Sequence, residues 1–554
     1  MKSPLSVLLV ASALFLSGAQ ETAPTRQGTA SGTKGVVVSG TAAATAAGVK
    51  ILEQGGNAAD AGAATLLGLS ATTVGLFCIG GEVPLLVYDA SKNDVKVLSG
   101  QGEAPRNPKA IEWYLKHGIP NGDVRAAAVP ATLDAIVTLL KRYGTKTFRE
   151  VVQPTLVILD AGGPTWYSDD GRRIDTGRNW RADLAATFRT LVDAEERATG
   201  SREQRLQAVS DRFYRGEVAD ALEKWYVEKG GFLRKADLAA HQTRVEDPVQ
   251  AEYRGLTVYK AGPWTQGPYL LETLRLLEGF DVKAMGFLSP DYIHVVTEAM
   301  KLGLADRDEY YGDPNFVEVP LAALLSDEYT RIRRPLIDMQ RAASAIRPGD
   351  PEQMRPVRPS TAPRHAPGGT TMMCVADRWG NVIAATPSGL ESTAGVAGET
   401  GIIHGTRLTS FNTRTGHPNV IEAGKRPRVT LTPTLVFKDG KPVMAISVAG
   451  GDFQDQAAIQ LILDYADFGM SADAALRAPR FFTSLFTSSF GQGQPEAGRL
   501  QVDGKVSADV VDGLKMRGHA VTTIQGGVAW PTLIVIDPAT KMAFAAGSAA
   551  GRVP

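Results

Sequence analysis

The chain has 554 residues, of which 44% are hydrophobic and 21% are charged. This is the composition of an ordinary globular protein, and the length is ample for a large hydrophobic core. The 59 basic side chains balance the 59 acidic ones, so the formal net charge is zero. We therefore expect neither nucleic acid nor an anionic membrane surface as the main partner.

The first 19 residues have the three parts of a secretory signal peptide. Lys2 supplies a positive charge, residues 5–16 form an apolar run, and Ser17-Gly18-Ala19 is a small-residue cleavage site. The run is short for a bilayer, and no later one approaches the roughly 20 apolar residues of a membrane helix. We predict an exported protein, periplasmic or secreted, without a membrane anchor. Residues 20–34 are rich in Thr, Gly, Ala and Ser, which predicts a disordered mature terminus.

The first regular elements follow from spacing and capping residues. Residues 35–39 predict a strand, and residues 41–54 have helical spacing. Asn57 is a typical N-cap for a second helix over residues 58–69. Residues 124–245 read as mainly helical.

Neither the cysteines nor the histidines suggest a metal. Cys78 and Cys374 could pair in an exported protein and tie the two halves together. Both lie in apolar runs, which favours separate buried thiols. The seven histidines are scattered singly, and no spacing typical of metal ligands occurs. We expect no metal and no cofactor.

A segment rich in proline and arginine precedes a β-hairpin. Residues 346–369 hold few side chains that could be buried, which predicts a flexible arm. Residues 370–377 and 382–388 are β-rich and flank a turn at Trp379-Gly380-Asn381. Both alternating faces of the first strand are largely apolar, so we expect it to be buried on both sides.

Thr370 stands where self-cleavage needs a nucleophile. Its hydroxyl could attack the carbonyl carbon of Gly369, convert the peptide to an ester, and let water release a chain that begins at Thr370. That chain would carry a hydroxyl and a free α-amine, whose reference pKa of about 7.7 to 8 suits a base near neutral pH. The alternative is that Thr370 and Thr371 simply start a strand, as β-branched residues often do.

The chain resembles the γ-glutamyltransferase (γ-glutamyl transpeptidase) family of N-terminal-nucleophile hydrolases over nearly its whole length after the leader. The similar stretches are Ile51-Leu52-Glu53-Gln54-Gly55-Gly56-Asn57-Ala58-Ala59-Asp60-Ala61, Ile293-His294-Val295-Val296-Thr297-Glu298-Ala299-Met300-Lys301-Leu302, Gly424-Lys425-Arg426-Pro427 and Ala449-Gly450-Gly451-Asp452. The resemblance implies an α+β fold, the four-layer αββα N-terminal-nucleophile hydrolase sandwich, formed jointly by two autoprocessed subunits.

The same resemblance sets the expected domain boundaries. Residues 1–19 are the signal peptide and residues 20–345 the large, N-terminal subunit. Residues 346–369 are the arm before the cleavage site at Gly369 and Thr370. Residues 370–554 are the small, catalytic subunit.

The resemblance also assigns catalytic roles beside that of Thr370. Family members use a Gly-Gly pair at the position of Gly450 and Gly451 to hold the oxyanion, and consecutive backbone N–H groups suit that task. A hydroxyl residue at the place of Ser388 bonds to the nucleophile or its amine in the family. Thr386 is a weaker candidate for the same role.

Part of the family's amino-acid recognition is missing. Gln101 stands where the family has an arginine that grips the α-carboxylate, and Val429-Thr430 replaces a serine pair. Gln101, Thr430 and Asp452 remain candidate substrate-binding residues. Arg407 or Arg414 is a candidate replacement for the carboxylate clamp. The segments that look closer to the family's hydrolase or acylase-like branch are Gly405-Thr406-Arg407-Leu408, Thr415-Gly416-His417-Pro418-Asn419 and Gly451-Asp452-Phe453-Gln454-Asp455-Gln456.

We therefore predict an exported, self-processing amidohydrolase or acyltransferase that cleaves a γ-glutamyl or related acyl amide through a threonine acyl-enzyme. Its partners would be a small-molecule amide and the two subunits of one precursor, with no nucleic acid. A true γ-glutamyl transpeptidase acting on glutathione-like peptides and a β-lactam acylase are alternatives of the same class. A non-catalytic binding protein on the same scaffold is the alternative from another class.

Overall fold

The structure is a computed structural model that describes residues 28–73, 75–162, 179–359, 370–389, 395–490 and 499–554. The predicted signal peptide and Gly369 lie outside these residues. Within the described ranges, none of the helices combines the length and apolar character that a membrane span requires.

Short strands and helices alternate along the chain. The strands are β1 (Gly28–Gly32), β2 (Gly35–Ser39), β3 (Phe77–Glu82), β4 (Leu85–Asp89), β5 (Asp94–Leu98), β6 (Val245–Glu246), β7 (Val249–Tyr253), β8 (Leu256–Lys260), β9 (Met373–Asp377), β10 (Val382–Ala385), β11 (Ser388–Gly389), β12 (Gly395–Val396), β13 (Ile403–His404), β14 (Thr434–Lys438), β15 (Lys441–Ala449), β16 (Phe481–Thr483), β17 (Arg499–Asp503), β18 (Ala520–Ile524), β19 (Trp530–Ile536), β20 (Ala543–Gly547) and β21 (Ala549–Arg552).

The helices are α1 (Ala42–Glu53), α2 (Ala58–Thr72), α3 (Pro108–His117), α4 (Thr132–Tyr143), α5 (Phe148–Asp160), α6 (Trp180–Arg197), α7 (Arg202–Tyr214), α8 (Glu217–Glu228), α9 (Lys235–Ala240), α10 (Pro268–Leu277), α11 (Val282–Met285), α12 (Pro290–Tyr310), α13 (Leu321–Leu324), α14 (Asp327–Arg333), α15 (Gln454–Ala466), α16 (Ala472–Arg477) and α17 (Ala508–Met516).

Two seven-stranded sheets form the centre of the described structure. The first has the strand order β1-β20-β19-β15-β14-β8-β7, and the second has the order β21-β2-β9-β10-β4-β5-β6. In β9, Met373 and Val375 join the hydrophobic cluster that contains helices α1, α2 and α4 to α8. Cys374 and Ala376 join a second cluster, which lies between the two sheets. Strand β9 is therefore buried on both faces, as predicted.

A third hydrophobic cluster covers the other face of the first sheet. It joins strands β8, β14, β15 and β19 to helices α10, α12 and α15. Helices, sheet, sheet and helices thus follow one another across the molecule, with an apolar interface between each pair of layers. This confirms the predicted αββα sandwich.

The predicted early elements are also confirmed. Strand β2 spans the expected residues, and helices α1 and α2 start where their caps indicate. Asn57 accepts from the backbone N–H groups of Ala59 and Asp60, and the Asp60 carboxylate accepts from the Asn57 N–H in return. This reciprocal arrangement is a capping box. The described part of residues 124–245 is mainly helical, from α4 to α9.

Cys78 and Cys374 are both free and buried. They lie on strands β3 and β9, in the apolar surroundings that the sequence suggests. The structure therefore supports separate thiols, not a disulfide bridge between the two halves of the chain.

Two sequence expectations about irregular segments need correction. Part of the N-terminal region expected to be disordered forms β1, because it can pair with β20 along the edge of the first sheet. The predicted arm is anchored in its first part: the Gly349 N–H donates to Asp306 Oδ1 at 2.7 Å, and Arg333 Nη1 donates to the Pro356 carbonyl at 2.6 Å. Backbone groups bonded to buried side chains hold residues 346–359, although few of their own side chains are apolar.

Candidate active site

Thr370 lies three residues before β9, beside the end of β10. It forms an isolated antiparallel bridge with Ser388, and the Thr371 N–H donates to the Pro387 carbonyl at 2.9 Å. Thr370 is 6% exposed and Ser388 is fully buried. The hairpin that the sequence predicts therefore brings these two hydroxyl residues side by side.

Gln454, the first residue of α15, faces the Thr370 hydroxyl. Its amide fits best with the nitrogen donating to the Thr430 carbonyl at 2.9 Å and the Val448 carbonyl at 3.1 Å. The amide atom that faces Thr370 Oγ1, at 3.4 Å, is then the oxygen. In this orientation Gln454 Oε1 can accept from the threonine hydroxyl and direct its lone pairs.

A glycine turn follows β15 at the same end of the sheets. Gly450 has a φ of +136° and Gly451 a φ of +55°. A Cβ atom on Gly450 would lie 2.7 Å from the Val528 carbonyl oxygen, so the turn requires glycine there. Ser447 Oγ donates to the Ala385 carbonyl at 2.7 Å, which ties the end of β15 to the end of β10. The turn and the Thr370–Ser388 corner therefore share one end of the two sheets.

A buried ion pair supports Ser388. Arg407 Nη2 donates to Ser388 Oγ at 2.6 Å, and Arg407 Nε donates to Glu82 Oε1 at 2.6 Å. Burial raises the pKa of Glu82, and the neighbouring guanidinium opposes that rise. Because Ser388 Oγ accepts a bond from a permanently charged donor, its own O–H can be directed to another group.

Glu82 belongs to the predicted large subunit, whereas Arg407 and Ser388 belong to the predicted small one. In strand pairing, Glu82 lies opposite Ser388 across β3 and β11. The ion pair thus joins the two sides of the predicted cut beside Thr370.

Asp452, next to the glycine turn, is held by several donors. Its Oδ1 accepts from Arg307 Nη1 and from Ser489 Oγ, the latter at 2.6 Å, and its Oδ2 accepts from the Ser489 N–H at 3.0 Å. Arg307 is fully buried on α12 and also donates to the Thr487 carbonyl at 2.7 Å. Asp452 and Arg307 thus hold Ser489 and Thr487 beside the glycine turn.

The other sequence-predicted residues lie at different distances from Thr370. Thr430 is connected to it through the Gln454 amide. Gln101 is buried after β5, and its Nε2 donates locally to the Gly102 carbonyl at 3.2 Å. Arg414 lies with Arg428 on the wall of a small cavity.

Sequence reasoning missed Glu82, Gln454 and Arg307. Glu82 carried a signal, because a carboxylate that ends a glycine-rich apolar strand needs a partner inside the protein. No local pattern marks Gln454 or Arg307, because their roles depend on contacts between distant parts of the chain.

A histidine cluster lies elsewhere in the described residues. His294, Glu298 and His519 offer ligand atoms within 4.8 Å of one another. His294 Nδ1 and His519 Nε2 are 2.8 Å apart, and Glu298 Oε1 accepts from Lys301 Nζ at 2.7 Å. Burial and the Lys301 charge lower the pKa of His519 to about 3. Since Lys301 already binds the carboxylate, a metal ion would have to displace it, and the cluster fits a structural hydrogen-bond network better.

Comparison with known proteins finds relatives over most of the chain. The sequence model of the gamma-glutamyltranspeptidase family matches residues 44–552. The glutathione hydrolase proenzyme of Bacillus subtilis (strain 168) is 28% identical over 533 residues, covering 89% of this chain and 86% of its own. The solved structure of LmbA2991T421A is similar with a TM-score of 0.83 and 33% identity, covering 95% of this chain and 98% of its own.

A second solved structure, the cephalosporin acylase from Bacillus halodurans, is similar with a TM-score of 0.78 and 26% identity, covering 98% of each chain. The family match spans every residue of the site described above and all strands of the two large sheets except β1 and β2. The chain therefore belongs to the gamma-glutamyltranspeptidase family of N-terminal-nucleophile hydrolases.

Proposed function

We propose that the chain is an exported precursor that cleaves itself between Gly369 and Thr370, and that the new terminal threonine then hydrolyses or transfers the acyl group of a small amide. The observation that carries this proposal is the corner at Thr370, which is bridged to Ser388, faces Gln454 and shares one end of the sheets with the glycine turn. Relatives named proenzymes, both glutathione hydrolase and acylase, support a precursor that is processed.

In the self-cleavage step, Thr370 Oγ attacks the carbonyl carbon of Gly369. The C–O bond forms, the C–N bond to Thr370 breaks, and the threonine proton passes to the departing nitrogen. Water then hydrolyses the ester, which frees the Gly369 carboxylate and restores the Thr370 hydroxyl. The α-amine released in this way is the base that later catalysis needs.

In the catalytic cycle, Thr370 Oγ attacks the amide carbonyl of the substrate while the α-amine takes up its proton. The N–H groups of Gly450 and Gly451 stabilise the oxyanion, and the proton moves to the leaving amine. Water or an acceptor amine then attacks the acyl-enzyme. Hydrolysis and acyl transfer differ only in this second nucleophile.

Ser388 and Gln454 position the nucleophile in this proposal. Arg407 already donates to Glu82 and Ser388, which suits a positioning role better than the predicted clamp on the substrate carboxylate. Gln454 can accept from the Thr370 hydroxyl and keep it turned towards the reacting carbonyl.

The substrate class is a γ-glutamyl or related acyl amide. Within this class, the protein could be a glutathione-type transpeptidase or an acylase for β-lactam side chains. The similarity to a cephalosporin acylase over 98% of the chain supports the acylase as an alternative. The rates at which p-nitroaniline is released from γ-glutamyl, glutaryl and uncharged acyl p-nitroanilides, measured with and without an acceptor dipeptide, would separate these assignments.

Intact mass under denaturing conditions tests the proposal itself. The purified wild type and a Thr371→Val control should give two fragments, the smaller one beginning at Thr370, whereas Thr370→Ala should remain one chain without activity. A single uncut wild-type chain, or a cut in Thr370→Ala, would overturn the proposal and favour the non-catalytic binding protein.

A further inference from the structure

A small cavity adjoins the proposed active site. Its volume is about 30 Å³, which suits a carboxylate head or a water molecule and is far below that of a whole substrate. Ser410 lines the cavity, and its hydroxyl lies 3.3 Å from Arg407 Nη1, the guanidinium that also donates to Ser388. Ser489, which bonds to Asp452 beside the glycine turn, lines the cavity as well.

On the cavity wall, Arg428 Nη1 and Thr487 Oγ1 lack a hydrogen-bond partner among the residues that the structure describes. Arg428 is only 5% exposed, and Thr487 is 9% exposed. Buried polar groups in folded proteins are almost always bonded, and an unsatisfied charged donor is especially costly. The pair therefore points to a missing acceptor.

The charges around the cavity indicate what kind of acceptor is missing. Asp308 is the carboxylate on its wall, and Asp308 Oδ1 lies 3.8 Å from Arg428 Nη1, which is too far for a hydrogen bond. Its two oxygens already accept from Arg307 Nε, at 2.9 Å, and from the Thr487 N–H. Asp308 and Asp452 together balance the charges of Arg307 and Arg428, but both carboxylates bond to Arg307, so Arg428 Nη1 is left without an acceptor within hydrogen-bond distance in the described part of the chain.

Neighbouring groups are consistent with a positive field. Arg414 lines the same cavity, and His417 is held neutral there, because burial and then the Arg414 and Arg428 charges lower its pKa to about 3. His417 Nδ1 accepts from Asn412 Nδ2 and from the Asn419 N–H, which leaves its Nε2 as the protonated nitrogen. Glu309, whose charge reaches Arg414, is paired with Arg358 at 3.4 Å.

We propose that this cavity binds the terminal carboxylate of the substrate's acyl group, with Arg428 and Thr487 as its donors. A carboxylate can accept from both groups at once, and a guanidinium is the side chain best suited to hold it. The substrate would then be the amide of an acid that carries a second carboxylate. This inference rests on the proposed function, since it assumes that the acyl carbonyl lies at Thr370.

The test compares paired p-nitroanilides of three chain lengths: succinyl, glutaryl and adipyl against butanoyl, pentanoyl and hexanoyl. For at least one length, the wild type should favour the carboxylated member in kcat/KM. In Arg428→Met that preference should fall by about 30-fold or more, the factor expected for loss of a charge-assisted bond. Arg428→Lys should keep part of the wild-type preference for the carboxylated anilide. Thr487→Val should lower that preference by about fivefold relative to the wild type.

The control is Arg331→Met, which removes an arginine whose side chain is 74% exposed. It should leave the preference of the wild type unchanged. A wild type that cleaves the paired anilides but treats them alike at every length would overturn the inference. So would an Arg428→Met variant that keeps the wild-type preference.

Calorimetric titration with succinate, glutarate and adipate makes the result independent of catalysis. Processed wild-type protein should bind one of these dicarboxylates at least about tenfold more tightly than Arg428→Met does. If no anilide is cleaved but this difference is found, the proposed reaction fails and the carboxylate site stands. If the anilides are cleaved but none of the dicarboxylates binds better to the wild type, the carboxylate site fails and the reaction stands.

Discussion

The Glu82–Arg407 ion pair offers the sharpest test of how the site is held together. Glu82→Gln keeps the shape of the side chain and one acceptor oxygen but removes the charge. Both members are almost completely buried, with side chains 4% and 2% exposed, so water can replace little of what is lost. Breaking one half of a buried pair costs about 3–5 kcal/mol, and the remaining amide bond offsets part of this. We expect the free energy of unfolding to fall by about 2–3 kcal/mol.

The same change should act on catalysis through Ser388. Arg407 donates to Glu82, Ser388 and Ser410, so weakening the bond to residue 82 loosens the guanidinium that contacts Ser388. We expect kcat for the preferred anilide to fall by about 10- to 100-fold, with a smaller change in KM, because the serine contact matters most when Thr370 reacts. Urea unfolding, carried out for this and the later variants in the uncleaved Thr370→Ala background, and steady-state kinetics of the processed enzyme measure the two effects separately.

A double variant separates stability from positioning. Glu82→Gln combined with Arg407→Met removes both charges, and replacing a whole buried pair with apolar or neutral groups is often tolerated. Its stability should recover towards that of the wild type while kcat stays low. Recovery of kcat would refute a positioning role for the pair. Asp247→Asn, at an exposed pair with Lys96, is the control and should change stability by less than about 0.5 kcal/mol.

Three further changes test other parts of the structure. Gly450→Ala places a Cβ 2.7 Å from the Val528 carbonyl at a φ of +136°, so kcat should fall by about 100-fold or more; near-normal kcat would exclude the turn as the oxyanion site. Lys260→Met removes the ammonium group that lies 2.7 Å from the buried Asp455 carboxylate. The free energy of unfolding measured in urea titrations should fall by about 3–5 kcal/mol, and a loss below about 1 kcal/mol would contradict this. Burial raises the pKa of Asp464 to about 6, so the folded state holds this proton more tightly than the unfolded chain does. The stabilisation is full below about pH 4 and is lost as pH rises through about 6; relative to Asp464→Asn, the wild type should gain about 2 kcal/mol between about pH 7.5 and 4.5, and parallel pH profiles would refute the shift.

The elements that could be predicted from the sequence are those decided by neighbouring residues. The cap at Asn57 and the hairpin that opens at Thr370 depend on contacts within a few positions. The anchoring of residues 346–359 could not be predicted, because it depends on Asp306 and Arg333, which belong to helices earlier in the chain. The composition of a segment shows which of its own side chains can be buried. It does not show which of its backbone groups will form hydrogen bonds with side chains of another element.

The candidate site divides in the same way. Thr370, Ser388 and the glycine pair stand out through residue type and family resemblance, and the structure places them at one end of the sheets. Arg407 was expected to bind substrate, yet its strongest contact is with Glu82, 325 positions earlier in the chain. No pattern in the sequence links two charges across such a separation, and only the folded arrangement of β3 and β11 does so.

The order of the strands has a consequence for how such a molecule could be made. Strand β2 lies between β21 and β9, β1 pairs with β20, and β8 pairs with β14, so each large sheet interleaves strands from before and after Thr370. Two separately made fragments would each expose unpaired strand edges that invite aggregation. The peptide bond before Thr370 would act as a tether that keeps both partners at high effective concentration until the sheets have closed. Its cleavage would then be a one-way step, and a processed molecule that unfolded could not easily return.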